Sequence, residues 1–598
     1  MKFERKKFDI LIVGAGGAGL RAAIEALENK DLKVAVICKS LLGKAHTVMA
    51  EGGMAASLNN MEGDDNWEVH FRDTVKGAKN LNNWKMADIH AKEAPERVRE
   101  LERYGAVFDR TEDGNIHQRP FGGHSYERLA HVGDRTGLEL IRTLQDHAVH
   151  RGMEVFMEYR IIKLFKDGGR ITGALAYNRH DGSFTVFECK AIVLATGGCG
   201  KCFSVQTNSW ETTGDGHALA FEIGAEMIDM EFMQFHPTGM VWPISVRGVL
   251  VTEGVRGEGG MLKNSEGKRF MFDYIPEAFK NDVADNEEEA NAWVAGERQT
   301  NRKPPELLTR DVVARAILAE VKAGRGSEHG GAYLDIAGAR NPDYIKRKLP
   351  SMHHQFKELG DIDITKEPME VGPTAHYIMG GVKVDPESTE STVRGLFACG
   401  EVAGGLHGAN RLGGNSLTDL LVFGKRSGEY SAKYALAADH GKVEDSEVEA
   451  AIKESTAVMK DGEGENPFKL QEELKQIMHE HCGIIRRGAD IEEGIKKIQA
   501  LKERAKNVAV VRDFKLNTAW HANETLKSLL VVSELLATAA LERKESRGAH
   551  TRDDYPKYDE QLGKENLILW KSEQGLELRH EALPEMPDSH KEIMKKFN

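Results

Sequence analysis

Residues 8–27 read FDILIVGAGGAGLRAAIEAL. An apolar, β-branched run, Phe8–Val13, meets Gly14-Ala15-Gly16-Gly17-Ala18-Gly19, and a helical pattern, Leu20–Leu27, follows at once. In that order the glycines let backbone approach a pyrophosphate, and the helix start offers free N–H groups and the positive end of its dipole. The stretch predicts a Rossmann-like α/β module for a dinucleotide.

Two later segments repeat the pattern of an apolar run ending in glycines: KAIVLATGG (190–198) and GLFACGEVAGG (395–405). Strands buried on both faces of a parallel sheet give such runs. Because the three lie far apart in the chain, the expected dinucleotide domain is discontinuous, 1–238 plus 360–425, with an α+β capping domain inserted at 239–359. Its polar part, Phe279–Pro305, reads as a surface excursion. Apolar residues then recur at helical spacing, so a helical bundle is expected over 426–541. A small C-terminal domain, 542–598, has strand character around Trp570.

Composition narrows the function. With 598 residues the chain exceeds the ~250–300 at which single cores stop growing. Lys and Arg total 81 against 94 Asp and Glu, a formal charge of −13 with no basic block, which argues against nucleic acid. No apolar run of membrane-spanning length occurs, and no separate apolar segment precedes the first strand. Six scattered cysteines suit neither a disulfide framework nor a cluster site, and a reduced compartment is the simplest reading. Cys199 and Cys202 have the spacing of a redox pair, but they follow a strand-and-turn with no second pair nearby; they read as incidental thiols.

Four glycine-bordered polar loops stand out: Gln234–Gly239 with His236, Thr252–Gly260 with Glu253 and Arg256, His376–Gly381, and His407–Ser416 with Arg411. Taken singly, each His suits a satisfied loop or core and each Arg a surface ion pair. Brought together, two histidines, two arginines and a threonine would receive a small dianion, since Arg pairs bidentately with carboxylate. No metal-ligand spacing is present.

These segments carry a family resemblance. GAGGAG, AHTVMAEGG (45–53), ATGG, TGDG (213–216), QFHPTG, TEGVRGEGG, RDVVAR (310–315), HYIMGG, GANRLGGNSL and ERKESRGAHTRDDYP resemble the flavoprotein subunit of the succinate dehydrogenase and fumarate reductase family, from Asp9 to Pro556. The resemblance implies FAD linked covalently through His46 to the flavin 8α-methyl group. It places His236 and Thr252 on one carboxylate of succinate or fumarate and His376 and Arg411 on the other. Arg310 would be the acid/base, with Glu253 and Arg256 relaying the proton. The implied FAD contacts are Gly14, Ala15, Gly16, Gly17, Ala18, Gly19, Lys39, Ser40, His46, Thr47, Glu51, Gly52, Gly53, Thr196, Gly197, Asp215, Glu401, Arg411, Ser416 and Leu417. The second strand, Lys33–Lys39, ends in Lys39-Ser40 where a ribose-binding carboxylate is usual.

The family also implies two partners, a membrane anchor carrying quinone and an iron–sulfur protein subunit, which would hold the chain peripherally at the cytoplasmic face of the cell membrane. Similar folds are expected in L-aspartate oxidase, against which His46 argues, and in a flavin electron-transfer module without its own substrate, which has no use for four His/Arg loops. Three departures are visible: about four extra residues between His236 and Thr252, an insertion before Arg310, and Phe121–Asp134, which leaves His124 and Ser125 as possible pocket residues. Glu51 stands where succinate oxidases resemble one another in carrying glutamine; a carboxylate there lowers the flavin potential and tilts the balance toward fumarate reduction, without deciding the direction.

Overall fold

A computed structural model describes the chain except for Met1, Glu62, residues 298–301, Asp461 and residues 597–598. The three glycine-ended runs form adjacent strands of one parallel sheet, in the order Leu396–Ala398, Ala191–Leu194, Ile10–Val13, Val34–Cys38, Glu154–Met157. The first four are buried along their length, as continuous apolar runs demand. Helix Gly17–Ala26 leaves the turn after Ile10–Val13 and packs against the long helix Asn415–Ala437. That helix runs through 425, where the sequence predicts a domain boundary. Its buried face continues across that point on small residues, Gly424, Ser427, Gly428, Ser431 and Ala432, which let it pack closely without a break.

A second sheet joins Phe3–Lys7 in parallel to Phe184–Glu188, which continues antiparallel through Arg170–Asn178 to Tyr159–Asp167. The helices Asp445–Thr456, Pro467–His481, Gly488–Ala505 and Thr518–Glu542 share its core. Buried Trp520 stacks on Tyr177 with ring centroids 4.1 Å apart. The bundle is thus welded to the first module by a common apolar cluster.

The inserted region has its own core, running from Met240 to Val371. Its antiparallel sheet is ordered Met233–Met240, Met369–Ile378, Ala332–Asp335, Met261–Lys263, so it borrows two strands from beyond the expected limits of 239–359. Helices Arg310–Lys322, Pro342–Lys348 and Pro350–Gly360 belong to it. The polar excursion contains a helix, Glu287–Ala295, capped by Asn286 and anchored by buried Trp293; residues 298–301 of that excursion lie outside the described residues. At the C-terminus the hairpin Glu565–Ser572/Gly575–Ala582 extends a sheet with Met227–Ile228 and Gly381–Val382. Fully buried Arg543, paired with Asp229, Glu231 and Glu545, ties it down.

Candidate active site

Gly14 has φ +116° and lies against the end of the neighbouring strand, where a Cβ would collide with the Ala195 carbonyl. A Cβ on Gly19 would strike the Gly14 carbonyl, so this glycine serves helix–strand packing and does not face the cavity. The helix that follows has no side-chain N-cap; Gly17 N–H reaches only Thr47 Oγ1, at 3.3 Å. Its first residues, Gly17 and Ala18, line a long cavity, the placement for a pyrophosphate at a helix start.

The cavity runs from Gly14–Ala18 past Cys38–Leu41, Ala195–Gly197 and Cys399–Glu401 to Ser416, Leu417, His46, Thr47 and His376. Thr196 Oγ1, on its wall, is buried without a hydrogen-bond partner. Asp215 is gripped by Lys39 at 2.8 Å and by Arg160 at 2.9 Å. Burial pushes its carboxyl up, but these two cations outweigh burial and hold it far below the usual range. A glycine cradle, an uncapped helix and an orphan hydroxyl fit an elongated dinucleotide such as FAD. Of the expected contacts, Gly19, Glu51, Gly52, Gly53 and Arg411 do not line this cavity. Gly52 backs onto Phe121, and Arg119 donates to the Glu51 and Gly52 carbonyls at 2.6 and 2.7 Å.

His46 opens a short 3-10 turn, His46–Met49, beside the cavity. Its Nδ1 accepts the Ser209 backbone N–H at 3.2 Å. Burial, with Lys201 and Arg411 adding to it, lowers its pKa to about 4, so the ring is neutral near pH 7.

Beyond the cavity the four polar loops converge. The rings of His236 and His376 lie 5.2 Å apart. His376 is the unpaired residue of a β-bulge: Gln234 pairs with Tyr377 and Phe235 with Ala375, which turns His376 out of the ladder toward the site. Its Nδ1 bonds Thr207 Oγ1 at 2.8 Å, while His236 Nδ1 lies 2.9 Å from the Thr238 carbonyl, leaving both Nε2 atoms free for a ligand. Burial lowers both imidazole pKa values well below the ordinary value, and Arg310 is the next largest cause for each.

Arg310 and Arg411 both donate to Gln234 Oε1, at 3.2 and 3.1 Å. Arg310 Nε also donates to Glu253 Oε2 at 2.9 Å, and Arg256 stands 3.7 Å from that oxygen. Burial pushes the Glu253 carboxyl up, but Arg310, Arg256 and the Gly122 N–H outweigh it and keep the carboxyl below its ordinary value. Arg256 donates to the Glu306 carbonyl at 2.6 Å, yet its Nε and second terminal nitrogen are buried without hydrogen-bond partners. Arg310, Glu253 and Arg256 therefore form one contiguous line of exchangeable N–H and carboxylate groups. Thr252 is buried beside Glu253, and the Val251 N–H bonds the Thr238 carbonyl at 3.0 Å, joining its loop to that of His236.

That last bond settles the spacing between His236 and Thr252. The extra residues loop outward over 242–250, where Trp242 stacks on His329, and the two ends still meet. His124 and Ser125 do not line the dinucleotide cavity: His124 bonds the Gly413 carbonyl at 2.7 Å, and Ser125 is held by Asp73 at 2.8 Å. Cys199 and Cys202 are free and fully buried. Glu51 also departs from expectation. Burial raises its carboxyl well above the usual range, with Asp134 adding and Arg119 opposing. The carboxylate on which the tilt toward fumarate reduction depends is thus disfavoured by its surroundings. Two residues that no motif marks, Thr207 and Ser209, orient the two cavity histidines from a single loop.

The FAD binding domain model matches residues 9–417, and that of the fumarate reductase flavoprotein C-term matches 471–589. Mycobacterium smegmatis Sdh1, solved in complex with UQ1, shares 52% identity over 98% of this chain and 95% of its own, with a TM-score of 0.84. FrdA of E. coli quinol fumarate reductase shares 34% over 98% of each chain, with a TM-score of 0.90. The succinate dehydrogenase flavoprotein of Coxiella burnetii is 38% identical over 584 residues, 93% of each chain.

Proposed function

The chain belongs to the flavoprotein family of succinate dehydrogenases and fumarate reductases, and we propose that it interconverts succinate and fumarate on a covalently tethered FAD. FAD when bound supplies the hydride acceptor and donor. His46 is the tether. His236 and Thr252 hold one carboxylate of the substrate, and His376 and Arg411 hold the other. Arg310 gives the substrate carbon its proton in fumarate reduction and takes it in succinate oxidation, and Glu253 and Arg256 exchange that proton with solvent. A free guanidinium hardly deprotonates near neutrality, so the buried Glu253 contact at 2.9 Å is what makes Arg310 a workable donor: the proton is replaced as it leaves.

The observation that carries this reading is the meeting of Arg310 and Arg411 on one oxygen beside the His236–His376 pair. Remote segments thereby bring two guanidinium charges and two imidazoles to one end of a dinucleotide cavity, which suits a dianion whose reacting carbon gains charge in the transition state. We further assign electron exchange to an iron–sulfur partner, and quinone chemistry to a membrane anchor, with the chain held peripherally at the cytoplasmic face. No helix among the described residues is long and apolar enough to cross a membrane, and none of their His, Cys, Asp and Glu groupings could hold a metal ion.

The test is anaerobic spectroscopy of the flavin-loaded chain. Succinate should bleach the oxidised flavin band and fumarate restore it, with aspartate inert. An unchanged spectrum on both additions would refute the assignment.

A further inference from the structure

Gln234 is 1% exposed at the start of strand Met233–Met240, and its amide is fully employed. Nε2 donates to Asn410 Oδ1 at 2.9 Å and to the Arg411 carbonyl at 2.8 Å. Oε1 accepts from Arg310 at 3.2 Å and from Arg411 at 3.1 Å. A primary amide has two donor hydrogens and two acceptor lone pairs, so nothing is left over. Reversal of the amide would set its NH₂ against two guanidinium groups and its oxygen against two acceptors, so its orientation is determined.

This places two like charges on one neutral atom. Each could have been neutralised by a carboxylate, and Arg310 does meet Glu253. Among the described residues Arg411 meets no carboxylate in an ion pair; besides Gln234 it meets Ser416 Oγ at 2.7 Å and the face of Tyr377 at 4.3 Å, and its Nε is buried without a hydrogen-bond partner. Burial, with Arg310 as the next cause, lowers its pKa to about 9, the mark of a cation short of negative charge. An amide oxygen orients both guanidinium groups while leaving their charge unspent; a carboxylate of the same shape would orient them and cancel it.

We propose that Gln234 is a positioning and specificity-determining residue: through the two bonds to its Oε1 it sets the separation of Arg310 and Arg411 and reserves their charge for a dianionic substrate. The inference rests on the reading of this cleft as a dicarboxylate site. It requires position 234 to be neutral for binding and hydrogen-bonding for turnover, two demands that different variants separate.

The experiment compares flavin-loaded parent, Gln234→Glu and Gln234→Met by titrating malonate against the flavin absorption band and by steady-state kinetics with succinate. Gln234→Glu keeps the shape and adds the charge: its malonate dissociation constant and its KM should rise about tenfold or more, the scale of a hydrogen bond to a charged group. Gln234→Met keeps the volume and removes the bonds: kcat should fall about tenfold with a smaller change in KM, because Arg310 is no longer held. Values within about twofold of the parent in both variants would overturn the proposal. Loss of flavin in both would also overturn it, by assigning Gln234 to the core. If the parent binds malonate but does not turn over succinate, the proposed reaction fails while the malonate arm still judges Gln234. If the parent shows no malonate response, both fall.

Discussion

The Ser209 backbone N–H points at His46 Nδ1 from 3.2 Å, across 163 residues of chain. A backbone N–H can only donate, so Nδ1 is the acceptor nitrogen of a neutral ring and Nε2 is the atom left for covalent chemistry. With the pKa lowered to about 4, the ring is unprotonated across the physiological range.

The tether should therefore run through Nε2. A denaturing gel of the flavin-loaded chain should show a fluorescent band, and peptide mapping should place the flavin on Nε2. His46→Ser should lose the band while retaining dissociable FAD in the native state. Fluorescence that survives in that variant would exclude His46 as the attachment site.

Arg310 is held at Nε by Glu253 and at a terminal nitrogen by Gln234. Removing it as Arg310→Ala should lower kcat by about a thousandfold, the scale of deleting a transition-state donor. The dicarboxylate dissociation constant, read from the flavin spectrum, should change far less, since His236, Thr252, His376 and Arg411 remain. Near-normal turnover would rule out its acid/base role.

Acid should destabilise the chain in a defined window. Burial lowers the pKa of His46, His131, His217 and His521 to about 4 and that of His90 and His124 to about 3. In the unfolded chain each titrates near ~6.5. Above that pH all are neutral in both states and contribute nothing to the pH dependence. As the pH falls from about 6.5 to about 4 the unfolded state takes up protons that the folded state refuses, so stability falls. Five carboxyls raised by burial, Glu51, Asp65, Asp229, Glu231 and Glu401, work the other way, but the six histidines are joined by His70, His236, His376 and His550, whose pKa values burial also lowers well below the ordinary value. Urea midpoints should drop steadily between about pH 6.5 and 4; a flat profile would contradict the buried neutral histidines.

Asp134 caps a helix in another layer. Helix Pro350–Gly360 has no side-chain cap of its own, and Asp134 Oδ2 accepts the Ser351 and Met352 N–H groups at 2.7 and 3.1 Å. Asp134→Ala should cost about 1–2 kcal/mol, the value of an N-cap, and Asp134→Asn much less. The readout is the denaturant midpoint at unchanged slope. Equal midpoints for all three proteins would refute the cap.

Much of the cofactor module was legible because its constraints are local. Gly14 and Gly19 are demanded by backbone contacts within a few residues of the first turn and at the strand beside it, and apolar runs such as Ile10–Val13 declare burial on both faces. Glu51 shows the opposite case. Its identity is plain, but the upward push on its carboxyl comes from burial and from Asp134, which no motif records. The extra residues between His236 and Thr252 looked like a threat to the pocket, and only the Val251–Thr238 bond shows that they are looped out.

The chain's own order of residues determined the parallel sheet, the glycine turn, the bundle's helical periodicity and the set of His and Arg candidates, since each follows from short-range sterics and from the burial of apolar side chains. Tertiary structure alone decided which of those candidates share a cleft, how the bulge turns His376, and that one neutral amide stands between Arg310 and Arg411. Those relations join loops up to 177 residues apart, and they arise from close packing in a low-dielectric interior, where distance and desolvation rather than residue type set the charge.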